Sequence, residues 1–99
     1  MEARDVKRLF AGQVSPVILD GGMGTQLALA GWHPPLLPEE MVLKNPDSVT
    51  AIHRAYVEAG ARIVETDTFG GSALKLAHRG LEGRTEEINR RAAELARQA

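Results

Sequence analysis

An α/β fold is expected of this chain. Two short apolar runs each end in a polar tip followed by paired glycines, and a well-marked helical pattern lies between them. Two strands joined by a long crossover that contains a helix make a right-handed parallel βαβ unit. Both tips would then lie at the carboxyl ends of the strands, on the edge where α/β proteins place their ligand chemistry.

Residues 2–11 put Val6, Leu9 and Phe10 on one helical face, with Asp5, Lys7 and Arg8 outside it, which predicts a short lead-in helix. Pro16 ends any helix, and Val17, Ile18 and Leu19 form a continuous apolar run suited to a strand covered on both faces. The first strand therefore stops at or near Asp20. Residues 24–30 suit a short helix halted by Gly31, and the three prolines of WHPPLLP, 32–38, demand an irregular connection. That loop reads either as a rigid connector with a packing tryptophan or as a pocket rim.

In NPDSVTAIHRAYVEAG, Asn45 stands ready to cap, Pro46 takes the first helical position and Asp47 complements the helix dipole. Val49, Ile52, His53, Tyr56 and Val57 recur on one face and Gly60 closes the segment, so a helix is expected over 46–59. Residues 61–66, ARIVET, form the second expected strand. After its tip come Gly70 and Gly71, then Ser72 as a cap for a helix carrying Leu74, Leu76 and Ala77 to Gly80. Thr85 is the expected cap of a last helix, with Glu86 and Glu87 in its first turn and Ile88, Ala92, Leu95 and Ala99 on its inner face.

Composition narrows the function classes. With 43% hydrophobic residues, 25% charged residues and a formal net charge of −1, the chain has neither the signature of disorder nor a surface for a polyanion. No apolar run approaches the roughly 18 residues of a membrane span, and the first residues mix charges into their apolar positions. A cytoplasmic protein with no nucleic-acid or membrane partner is the expectation. Cysteine is absent, which removes disulfides, thiolate nucleophiles and thiolate metal sites together. His33, His53 and His78 lack metal-ligand spacing, and His53 reads as a packed helix residue.

The chemistry concentrates at the two tips. In DGGMGT, the glycines Gly21 and Gly22 expose main-chain N–H groups, and Asp20 beside them can accept hydrogen bonds from an ammonium. Such a tip suits a zwitterion, with its carboxylate on backbone donors and its amine on Asp20. It equally suits a tight turn whose aspartate caps the next helix. A phosphate loop is the weaker third reading, because neither G-x-G-x-x-G nor Gly-Lys-Ser/Thr occurs. The second tip adds the hydroxyls of Thr66 and Thr68, the carboxylates of Glu65 and Asp67, and Phe69 as an apolar wall.

Three stretches, ILDGGMGTQL, NPDSVTAIHRAYVEAGARIVETDTFGGSALKL and RTEEINRRAAELAR, together resemble the start of the homocysteine S-methyltransferase family, from Val17 to the last residue. The resemblance implies a (β/α)8 barrel of which residues 1–99 would supply the N-terminal part, the first two βα units of an incomplete barrel. It implies homocysteine contacts on Asp20, Gly21 and Gly22, with Thr66, Thr68 and Phe69 lining the pocket. No residue here would be catalytic or ligate metal. The TFGG of the second tip is most similar to the branch of cobalamin-dependent methionine synthase or of the related methyltransferase fused to a methylenetetrahydrofolate reductase, which implies methylcobalamin or methyltetrahydrofolate as methyl donor. Zinc held by three cysteines would activate the homocysteine thiol in that family, and those ligands are absent from this chain. Asp67 stands where family members commonly carry asparagine, which leaves its part open.

The resulting expectation is a methyltransferase of methionine synthesis whose 99 residues hold the amino-acid end of the substrate and need the remainder of the barrel for activity. The alternatives are a non-catalytic module that binds an amino acid or phosphate, and an inactive truncated fragment whose open strand edges invite pairing.

Overall fold

The computed structural model describes Lys7, Ala11 and residues 16–99. The expected lead-in helix over 2–11 lies outside the described residues, apart from a bond from the Ala11 N–H to the Lys7 carbonyl at 2.9 Å.

Five α-helices and three 3-10 turns make up most of the remainder. The helices are α1 (Gly24–Leu29), α2 (Met41–Lys44), α3 (Pro46–Glu58), α4 (Ala73–Leu76) and α5 (Thr85–Gln98), with the 3-10 turns at Pro38–Glu40, Ala77–Arg79 and Glu82–Arg84. Glycine supplies the stops: Gly31, Gly60 and Gly80 follow α1, α3 and the Ala77–Arg79 turn with φ of 108°, 114° and 69°, a region that L side chains avoid. Ser72 caps α4 as expected, its hydroxyl accepting the Lys75 N–H at 3.1 Å.

Two other expected caps fail. The Asn45 side chain makes no capping bond, and its carbonyl instead accepts the Ser48 hydroxyl at 2.8 Å. Thr85 is already helical, because the Glu82–Arg84 turn runs straight into α5, and its hydroxyl donates back to the Glu82 carbonyl at 2.6 Å.

The core sits between α3 and α5, with α2 packed on both. Leu27, Met41, Val42, Val49, Ala92 and Leu95 form one buried cluster, against which Met23, Trp32 and Ile52 pack. The inner face of α5 follows its sequence period, with Ile88, Ala92 and Leu95 buried. The face of α3 is less complete, since Val49 and His53 are buried while Val57 stays exposed. Trp32 anchors the proline-rich loop by donating its indole N–H to the Leu36 carbonyl at 2.9 Å. Among the described residues no helix is long and apolar enough to cross a membrane.

The expected α/β fold, two βα units of a (β/α)8 barrel, is overturned by this architecture. Among the described residues there is no strand and no sheet: the two apolar runs meet in a single isolated parallel bridge between Leu19 and Ile63. Hydrogen bonds from the Asp20 N–H to the Ile63 carbonyl at 3.0 Å and from the Arg62 N–H to the Ile18 carbonyl at 2.8 Å are all that join them as backbone. The reason is physical. Parallel pairing is the weaker ladder per residue, and two extended segments with no third neighbour lack the cooperative pairing that makes a sheet. The apolar run is also not covered on both faces, since Ile18 and Leu19 remain 57% and 50% exposed.

The helical core should therefore carry the stability. Leu95→Ala is expected to lower unfolding free energy by about 2–5 kcal/mol, whereas Leu74→Ala, at a side chain 82% exposed, should change it by less than about 0.5 kcal/mol. Urea denaturation of the two variants beside the parent chain measures both.

Candidate functional site

The two tips converge. Asp20, Gly21, Gly22, Met23 and Gly24 of the first form one side of a cleft of about 520 Å³, with Glu65, Thr66, Asp67, Phe69 and Gly70 of the second opposite and Leu37, Pro38, Glu39 and Lys75 closing the ends. Of the two readings of the proline-rich loop, the rim is therefore realised at its end, while its tryptophan also packs.

Asp20 is a clamp in this arrangement. Its Oδ2 accepts the Glu65 N–H at 2.9 Å, across 45 residues of sequence. The helix-capping role that pattern alone allowed is thus not what occupies this carboxylate, and Oδ1 has no hydrogen-bond partner among the described residues. Tyr56 of α3 adds a second tie, donating its hydroxyl to the Gly22 carbonyl at 2.7 Å. A Cβ on Gly21 would stand 3.1 Å from that hydroxyl and one on Gly22 would stand 2.8 Å from the Thr25 Oγ1, so a side chain at either position would have to push Tyr56 or Thr25 aside. Tyr56 had been legible only as one more residue on the inner face of a helix.

At the second tip the hydroxyls of Thr66 and Thr68 hydrogen-bond each other at 2.7 Å. Thr66 lines the cleft and Thr68, expected to line it too, does not; its link to the cleft is the bond to Thr66. Phe69 lies on the margin, fully exposed, and encloses nothing in this arrangement. Asn89 of α5 braces the tip from behind by donating to the carbonyls of Gly71 and Thr85, both at 2.8 Å.

Two carboxyls in the cleft wall are deeply buried, Glu39 and Asp67, at 2% and 3% exposure. Burial, and then the nearby charge of Glu39, pushes the Asp67 carboxyl up to about 7. Burial also raises Glu39, opposed by the Gly70 backbone N–H and the charge of Lys75. Glu40 shows the contrast: burial works to raise it as well, but the Arg79 guanidinium at 3.0 Å and the Leu37 N–H at 2.7 Å hold it below its ordinary value. Beneath the first tip, His53 is fully buried with no hydrogen-bond partner on either ring nitrogen among the described residues. Burial drives its imidazole downward, against the charge of Asp20. Nothing in the sequence around Glu39 set it apart from a solvated acid, and only the fold buries it.

The zinc that the resemblance implies finds no fit here. The chain has no cysteine, and among the described residues no group of three His, Asp or Glu side chains is disposed to hold a metal ion. A second groove, about 460 Å³, runs between α1 and α3 along Leu29, Ala51, Ile52 and Ala55, and apart from Tyr56 it holds no titratable side chain, so it offers packing without chemistry.

Two consequences are measurable. Tyr56→Phe removes one hydrogen bond across the site and should cost about 0.5–1.5 kcal/mol of stability in urea melts. Asp67 has an ordinary value of 3.8 and a folded value of about 7. The folded chain therefore holds its proton more tightly, and stability falls as pH rises between those values. Asp67→Asn should abolish that slope and be more stable than the parent at pH 8, by on the order of a few kcal/mol, with little difference near pH 4.

Residues 17–99 match the family described as Homocysteine S-methyltransferase. The chain is 34% identical over 85 residues to Homocysteine S-methyltransferase 1 of Arabidopsis thaliana, covering 83% of this chain and 26% of that protein. It is 37% identical over 97 residues to Betaine--homocysteine S-methyltransferase 1 of Danio rerio, covering 94% of this chain and 24% of that protein. The chain thus spans about a quarter of the length of these relatives. With the tip residues, the α3 pattern and α5 all inside the matched span, the chain belongs to the homocysteine S-methyltransferase family.

Proposed function

We propose that the cleft holds the amino-acid end of homocysteine, and that the protein transfers a methyl group to the homocysteine sulfur to give methionine. The observation that carries this reading is the meeting of Asp20, Gly21, Gly22, Thr66 and Phe69 around one cleft in a chain of this family. The substrate ammonium takes Oδ1 of Asp20, the substrate carboxylate takes the main-chain N–H groups of Gly21 and Gly22, and the hydroxyl pair of Thr66 and Thr68 serves polar atoms between them. Phe69 offers an apolar surface for the arm at the cleft margin. Four acidic side chains and one lysine line the cleft, and even with Asp67 protonated the anions Asp20, Glu39 and Glu65 outnumber Lys75, which favours an ammonium-bearing ligand over phosphate.

None of these six residues bonds to the methyl group. They orient the sulfur so that, once its proton is lost, its lone pair forms the new S–CH3 bond as the bond between the methyl group and its donor breaks with its electron pair on the donor, and their contribution is positional. Zinc would supply a thiolate in such chemistry, but no residue described here is suited to hold it. A methyl donor of the methylcobalamin or methylfolate class rests on the TFGG pattern at Thr68–Gly71 alone, while one of the relatives is named for betaine. A cytoplasmic setting accords with the lack of cysteine.

Calorimetric titration with L-homocysteine tests the reading. Asp20→Asn keeps an acceptor for the Glu65 N–H while removing the charge, and should weaken homocysteine binding by about tenfold or more. 4-Mercaptobutyrate, which lacks the amine, should bind weakly to both forms. Equal binding of homocysteine by parent and variant would sink the ammonium assignment, and no heat from the parent would sink the substrate.

A further inference from the structure

The cleft wall contains a chemical problem that its substrate reading does not solve. Asp67 and Glu39 are both almost wholly buried and both line the cleft, and Asp67 Oδ2 has no hydrogen-bond partner among the described residues. Two ionised carboxylates cannot share such a place, since each would lack solvation and repel the other. One proton must stay. Glu39 has the Gly70 N–H and the charge of Lys75 to favour its ionised form, whereas Asp67 has neither. The proton therefore resides on Asp67.

The other charges around the pair do not alter this. Glu40 is already paired to Arg79 on the far side of the Pro38–Glu40 turn. Asp20 across the cleft and Glu65 on the same tip as Asp67 bring no cation to it, and Lys75 of α4 acts on Glu39. From α5 the neutral amide of Asn89 is held on Gly71, and Arg84 of the turn before it is engaged with Glu87. His53 of α3 lies under Asp20 and is pushed toward its neutral form.

We propose that Asp67 is a specificity-determining residue of the cleft, a neutral carboxylic acid that donates a hydrogen bond to an anionic group of the ligand, the carboxylate in the case of an amino acid. A carboxyl kept neutral by its surroundings is an effective donor, and its C–C torsion is soft, so either oxygen can be turned toward the cleft. The ligand class is thus set by both walls: an ammonium at Asp20, and a carboxylate that accepts from the Gly21 and Gly22 N–H groups on one side and from Asp67 on the other. This rests on the amino-acid reading of the cleft, but its protonation can be read without any ligand.

Three forms decide it: the parent chain, Asp67→Asn and Asp67→Ala. In infrared spectra of the unliganded protein at pH 6, the C=O stretch of a protonated carboxyl should be present in the parent, absent from both variants, and lost from the parent as pH rises through about 7. In calorimetry with L-homocysteine, Asp67→Asn, which keeps a neutral donor, should bind within about threefold of the parent at pH 6 and hold that affinity at pH 8. The parent should weaken over that range, and Asp67→Ala should be weaker by about tenfold at pH 6. Absence of the stretch overturns the proposal whatever the ligand does. Stretch present with Asp67→Ala binding as well as the parent overturns the donor role. Stretch present with no binding of homocysteine by the parent overturns the substrate reading, and the ligand role of Asp67 with it.

Discussion

The site depends on one constraint, that two segments 45 residues apart are held side by side with almost no sheet between them. A single carboxylate does much of this, since Asp20 Oδ2 takes the Glu65 N–H while its own N–H reaches the Ile63 carbonyl. Tyr56 secures the same tip from below through the Gly22 carbonyl. Each such bond contributes only about 0.5–1.5 kcal/mol net, so the clamp is effective because the helices beneath it are already packed. The cluster of Leu27, Val42, Val49 and Leu95 brings α1, α3 and α5 together, and the tips are carried on its rim.

Placing the tips on that rim buries charge, and the three acids near Pro38 and Asp67 meet the cost in different ways. Glu40 has a guanidinium and a backbone N–H and remains a stable anion. Glu39 has weaker support, and Asp67 has none, so desolvation governs it. Burial without a partner costs stability that a structural role would not require, and a shift of this kind inside a cleft is a mark of a functional position. The asparagine-to-aspartate departure noted at this position then changes character: a protonated aspartic acid is again a neutral group that both donates and accepts.

Much of the local structure was legible in the residues. The period of Val49, Ile52 and His53 and the cap at Ser72 give helices with nearly the expected bounds, because both signals are local and helices satisfy their own backbone. The strands fail to form for the opposite reason. A run such as Val17–Leu19 reads as a buried strand only if other strands and a covering layer exist to receive it, and here it meets one partner at one bridge. The short α2 and the turn at Pro38–Glu40 went unread because they carry no repeat long enough to show a period.

For the site, DGG and ETDTFGG named the two tips, their family and the candidate contacts, since glycine pairs and clustered acids are visible in any linear text. Which carboxylate clamps, which is starved of solvent, and which distant side chains join them could not be read there. Tyr56, Glu39 and Lys75 reach the cleft only through the packing of α3, the Pro38–Glu40 turn and α4 around the tips. Residue types and spacing determine what chemistry a chain can offer, whereas solvation and approach distance, which decide what a carboxyl does, exist only once the chain has folded around it.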